Sequence, residues 1–96
     1  TMKSLYDLPT GTTGAVSELV VSVDLMKRGY HVFRALSPSC PCDLVAFKNG
    51  DTLKFEVRTA YRRKGSIVGP RKANGPVDHF AFAILNEGVV YEPPLE

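Results

Sequence analysis

The chain has 96 residues, 44% of them hydrophobic, with 12 basic and 10 acidic side chains and a net charge of +2. That length implies one domain, burying roughly 60–65% of its unfolded surface, and the composition is that of a soluble globular protein rather than a disordered one. No apolar run approaches the ~20 residues of a membrane helix and no signal-peptide pattern opens the chain, so the expectation is a cytoplasmic protein without a membrane partner; Thr1, ahead of Met2, reads as a remnant foreign to the natural chain.

Residues 3–12 read as a lead-in ending in the loop-like "TGTTG". From Thr13 to Arg28, apolar residues at 15, 16, 19, 20, 23 and 26 repeat as on the core-facing side of a helix. Lys27 and Arg28 suit its C-terminal end, and Gly29 suits the left-handed cap. "YHVFRAL" reads as a strand and "SPSCP" as a loop. Cys40 and Cys42, with one residue between them, fit an unstrained disulfide poorly and lack a zinc-ligand spacing; they read as reduced, partly buried thiols. In "CDLVAFKNGDTLKFEVRT", Asn49-Gly50 separates two alternating runs, a hairpin signal because a type I′ turn needs positive φ at both central positions.

Residues 60–77 carry Gly65, Gly69, Pro70, Gly75 and Pro76, too many breakers for a long helix, and read as an exposed flap with a small β-ribbon around "RRKGSIVG". "HFAFAIL" is a buried strand and "GVVYEPP" an edge strand stopped by Pro93 and Pro94. The order predicts an α/β domain dominated by one mixed sheet. Between Lys54 and Lys72 lie seven of the twelve basic residues against one acid, Glu56. Such an excess suits a phosphate backbone, although a solvated basic loop has the same composition.

With a two-residue turn at Asn49-Gly50, Lys48 faces Asp51 and Asp43 faces Glu56. Opposed residues hold their Cβ atoms ~4.5–5.5 Å apart, and Arg58 shares that side of the strand. Leu44, Ala46, Leu53, Phe55 and Val57 fill the other side. Two facing carboxylates raise each other's pKa unless a cation sits between them; Arg58 is one such cation, and a divalent metal with oxygen ligands another. Glu18, within the helix, is placed to complete the cluster. Taken singly, each acid has a plainer reading. Glu18 fits an exposed helix residue, Asp43 a residue bonding nearby amides, and Glu56–Arg58 a surface ion pair. Asp78, opening a buried strand, is expected to bond to backbone amides of the flap.

An acid in the first helix, then Asp, a hairpin, and Glu-x-basic near the end of the next strand resembles the layout of the PD-(D/E)xK nuclease superfamily. The matching segments are "GAVSELVVSVDLMKRGYHVF", "PCDLVAF", "LKFEVRTAYRRKGS" and "VDHFAFAI". Within it, the chain looks most like the small homing endonucleases associated with group I introns and, next, archaeal Holliday-junction resolvases. The resemblance implies a restriction-endonuclease-like core whose second helix is replaced by the basic flap. It implies a metal-dependent endonuclease acting on DNA, or a nuclease-derived DNA-binding or interaction domain that no longer cuts. Glu18, Asp43 and Glu56 would hold Mg2+ (Mn2+ as substitute), with the Val57 carbonyl as a further ligand. Arg58 stands where the family has lysine, and arginine does not serve as a base near neutral pH. Arg62, Arg63, Lys64, Arg71 and Lys72 would grip DNA phosphates, and a homodimer or homotetramer is expected from the symmetry of two-strand chemistry.

Overall fold

A computed structural model describes residues 4–95; Thr1 and Met2 lie outside the described residues. A 3-10 helix at Leu5–Asp7, capped by Ser4, leads into α1 (Thr10–Lys27), followed by β1 (His31–Arg34), β2 (Leu44–Lys48), β3 (Asp51–Arg63), β4 (Ser66–Val68), β5 (His79–Ile84) and β6 (Gly88–Glu92). The sheet order is β1-β2-β3-β5-β6, with β4 paired to the far end of β3. All pairings are antiparallel except β3 with β5. The fold is thus a single mixed sheet with one N-terminal helix packed on it, and among the described residues no second helix follows.

Asn49 and Gly50 take φ of 53° and 85°, closing β2 on β3 with Lys48 opposite Asp51, as expected. Lys64 and Gly65 repeat the device at 51° and 82° and form the β3–β4 ribbon. Here a lysine accepts the left-handed region that Asn accepts more readily.

The helix starts earlier than its glycines suggest. Pro9 is the N-cap, and the Thr13 N–H reaches the Pro9 carbonyl at 2.9 Å, so "TGTTG" is helical rather than loop. Breakers are least harmful in a first turn, whose leading N–H groups have no intrahelical partner anyway. Gly29, at φ 92°, ends the helix with the paired bonds of a Schellman motif, Gly29 N–H to Met26 O and Tyr30 N–H to Leu25 O.

The buried stripe of α1 is Ser17, Val21 and Leu25; of the expected positions 15, 16, 19, 20, 23 and 26, Val20 packs against the core from the edge of that stripe. Leu19, Val23 and Met26 are exposed. The polar member of the stripe is satisfied there: Ser17 Oγ meets Thr59 Oγ1 at 2.5 Å, and the helix lies close to β3. Val21 and Leu25 join Leu44, Ala46, Phe55, Val57, Ala81, Ala83 and Tyr91 in the main core. Tyr91 donates to Asp24 at 2.6 Å, and Arg28 both pairs with Asp24 and covers the Tyr91 ring.

The flap is not free. β5 presents Phe80, Phe82 and Ile84 on the face away from α1, and this second apolar layer needs a cover. Ile67 of β4 packs there, Gly69 approaches Ala60 and Phe82 closely, and Arg71 lies over the Phe82 ring while pairing with Glu92. Asp78 bonds β3 rather than flap amides. Its carboxylate accepts from the Lys54 N–H at 2.7 Å, and its own N–H donates to the Lys54 carbonyl. Among the described residues no helix is long and apolar enough to cross a membrane.

Candidate functional site

Alternation along β2 and β3 sends Leu44, Ala46, Phe55 and Val57 toward α1, leaving Val45, Phe47, Lys54, Glu56 and Arg58 on the outer face. The paired ladder ends at Leu44–Phe55. Asp43 therefore does not sit in a ladder pair with Glu56. Its N–H donates to the Phe55 carbonyl at 3.0 Å, and its carboxylate takes the Val57 N–H at 2.8 Å. A side chain has replaced the backbone acceptor that Val57 would otherwise have used. The carboxylate nevertheless stays beside Glu56.

Glu56 is 1% exposed, so the plain reading of a surface ion pair with Arg58 is excluded. Burial, then its neighbour Asp43, pushes the Glu56 carboxyl above the usual range. Arg58 and the Asn74 N–H, which reaches Glu56 Oε2 at 3.2 Å, act in the opposite sense. The Arg58 guanidinium folds back along its own strand. It donates to the Val57 carbonyl at 3.0 Å and to Glu56 at 3.3 Å, lies 3.9 Å from Asp43, and also bonds the Lys72 carbonyl. One cation is thus surrounded by Asp43, Glu56 and the Val57 carbonyl.

Glu18 is not in this group. It pairs with Arg34 at 2.9 Å, and the two border a hollow whose far wall includes Asp43. Among the described residues no three acidic, histidine or cysteine side chains lie close enough together to hold one metal ion. Arg34 stands opposite Leu44, one residue before Ala35, whose N–H donates to the Asp43 carbonyl, and its guanidinium is engaged by the helix acid.

The basic residues divide into two sets. Arg62 is held by Glu87 at 2.8 Å and Arg71 by Glu92 at 2.7 Å. Arg63, Lys64 and Lys72 make no ion pair among the described residues, and all five are exposed. Sequence reasoning missed Arg34, the Asn74 N–H and the Lys72 carbonyl. Only the first had a signal, its place one strand away from Asp43. Cys42 is buried and its thiol pushed up by that burial; Cys40 is partly buried and both are free.

No family model matches the chain, and no curated protein matches it. Among solved structures it is similar to a bacterial homing endonuclease, I-Ssp6803I, with a TM-score of 0.73 and 20% identity over 86% of this chain. The match spans 64% of that structure's chain, less than two thirds of its length. At this identity the likeness shows a shared fold.

Proposed function

We propose that this chain is a DNA-binding domain of the PD-(D/E)xK nuclease type that hydrolyses DNA phosphodiester bonds with the aid of Mg2+. One observation carries the reading. The outer sheet face gathers Asp43, Glu56 and the Val57 carbonyl around a single positive group, beside a basic flap, on a fold shared with a homing endonuclease. These are hard oxygen donors that fit a divalent cation, and Mn2+ would substitute. When bound, the metal supplies a water of lowered pKa and offsets phosphate charge.

For the metal to sit there the Arg58 guanidinium has to leave the carboxylates. Turned toward the substrate, it neutralises charge gathering on the phosphate. Glu18 takes part only by exchanging its Arg34 partner, across the hollow it shares with Asp43. Arg63, Lys64 and Lys72, with Arg62 and Arg71, grip the sugar-phosphate backbone, which sets position without reading sequence. The chain works as a homodimer or homotetramer. The exposed Leu19, Val23 and Met26 on α1, next to terminal strand β6, favour self-association.

A second reading, a DNA-binding domain that no longer cuts, is favoured by Arg58 itself. Its guanidinium pairs with Glu56 and lies 3.9 Å from Asp43, occupying the place a metal would take. Incubation of plasmid and branched DNA with Mg2+ or Mn2+ separates the two. Nicking by the wild type and none by Glu56→Ala supports the enzyme. Salt-sensitive binding without cleavage supports the second reading. Unchanged DNA affinity after Arg63→Glu with Lys64→Glu removes both.

A further inference from the structure

The outer sheet face carries an aromatic ladder that the acid pair and the flap do not use. His31 and Phe33 on β1 stand beside Phe47 on β2. The Phe33 and Phe47 rings are stacked at 5.6 Å and 12°, and His31 lies 5.0 Å from Phe47. Phe33 is 58% and Phe47 39% exposed, in a chain whose other sheet phenylalanines are covered by the helix or the flap. Exposed rings held parallel lose little further freedom when a flat ligand is added, and contiguous exposed apolar surface signals a binding site.

Phe33 also walls a hollow of about 290 Å3 whose other sides include Val45, Lys54, Pro41, Cys42 and Asp43. Lys54 makes no ion pair among the described residues and lies near enough to Cys42 to oppose the rise of its thiol. The hollow thus has a π face, an apolar floor, one free ammonium and, at its end, a carboxylate of the acid pair. Phe33 is opposite Val45, two residues along from Asp43, a step of about 7 Å.

We propose that this hollow receives a nucleobase unstacked from its duplex, packed on Phe33 with the next base on Phe47, while Lys54 holds the intervening phosphate. The proposal rests on the nucleic-acid reading above and narrows it to DNA carrying unpaired bases. A flat π ligand bearing negative charge is what an aromatic ladder and a free lysine recognise together. An aliphatic partner would leave Lys54 without a counter-charge.

The test uses a duplex with one unpaired 2-aminopurine and the same duplex fully paired, with EDTA present so that neither is cut. Wild type is expected to quench the unpaired 2-aminopurine and to bind that DNA more tightly than the paired duplex. Phe33→Ala removes this preference, a loss of about 5- to 150-fold per stacked base, and leaves affinity for the paired duplex unchanged. Phe33→Tyr restores it, which separates stacking from a folding defect. Equal binding of both DNAs by wild type, or a preference untouched in the Phe33→Ala, Phe47→Ala double variant, overturns the proposal while leaving the nuclease reading intact. Binding to neither DNA overturns both. Sedimentation showing a dimer that the double variant dissolves, with DNA binding unaltered, makes the ladder an interface between copies and also overturns it.

Discussion

Arg58→Ala separates the guanidinium's part in the fold from the proposed competition with a metal. The side chain is 24% exposed and its partner Glu56 2%, so the substitution leaves a buried carboxylate beside Asp43 with only the Asn74 N–H as donor. Breaking a fully buried pair costs about 3–5 kcal/mol. Partial exposure of Arg58, and the freedom of Glu56 to take up a proton, reduce this to about 2 kcal/mol near neutral pH. For a domain of this size each kcal/mol moves the melting temperature by about 4–8 °C, so a fall of roughly 8–16 °C is expected in EDTA. A cation binding only the native state restores about 2.7 kcal/mol at a hundredfold excess over its dissociation constant. Melting in EDTA and in millimolar Mn2+ should therefore show a large metal-dependent rise for Arg58→Ala and a small one for wild type. Equal metal stabilisation of the two proteins refutes the claim that guanidinium and metal contend for one place. pH gives an independent check. Because the Glu56 carboxyl is raised in the folded chain, the native state binds more protons than the unfolded one between the ordinary carboxylate range and the raised value. Stability should fall as pH climbs through that window, and Glu56→Gln should flatten the fall.

Three further outcomes follow from single contacts. Tyr6→Phe removes a hydroxyl that donates to the Ala60 carbonyl at 2.8 Å and accepts from the Leu85 N–H at 3.1 Å, and should cost about 1–3 kcal/mol in urea melts. In Gly75→Ala the new Cβ would lie 2.9 Å from Pro41 Cβ, so the flap must lift from the Cys40–Cys42 loop, costing about 1–3 kcal/mol and withdrawing the Asn74 N–H from Glu56; an unchanged melting temperature refutes it. Neutralising Lys64 or Lys72 should shallow the plot of log affinity against log salt by about 0.9 each. Arg62→Ala or Arg71→Ala should change it less, because Glu87 and Glu92 already hold those charges.

The β2–β3 hairpin was legible because one dipeptide dictates its backbone, and two-residue turn geometry then fixes every pair from Lys48–Asp51 to Leu44–Phe55. The helix was legible as an element but not in its orientation. Periodicity weighs apolar residues, whereas the face of α1 that meets the sheet includes a hydroxyl, Ser17, paired with Thr59 42 residues away, beside Val21 and Leu25. The same limit applies to the site. Asp43, Glu56 and Arg58 lie within one hairpin, and local geometry brings them together. Glu18 could join them only through helix packing, which no local rule dictates, and it pairs with Arg34 instead. The docking of the flap was hidden for a related reason: its glycines and prolines announce a loop but not the Phe82 ring that the loop covers.

Parallel neighbours cannot be joined by a tight turn; returning the chain to the starting end takes a dozen or more residues. β3 and β5 are such neighbours, and the segment joining them is the basic flap. In an ordinary α/β unit a helix spans that gap. Here an irregular strap does so, and the arginines and lysines proposed to meet DNA ride on the tie-rod of the central sheet. Trimming the strap where Ile67, Gly69 and Arg71 cover Phe82 would therefore loosen the sheet itself, whereas the ribbon tip at Lys64-Gly65 stands clear of that packing.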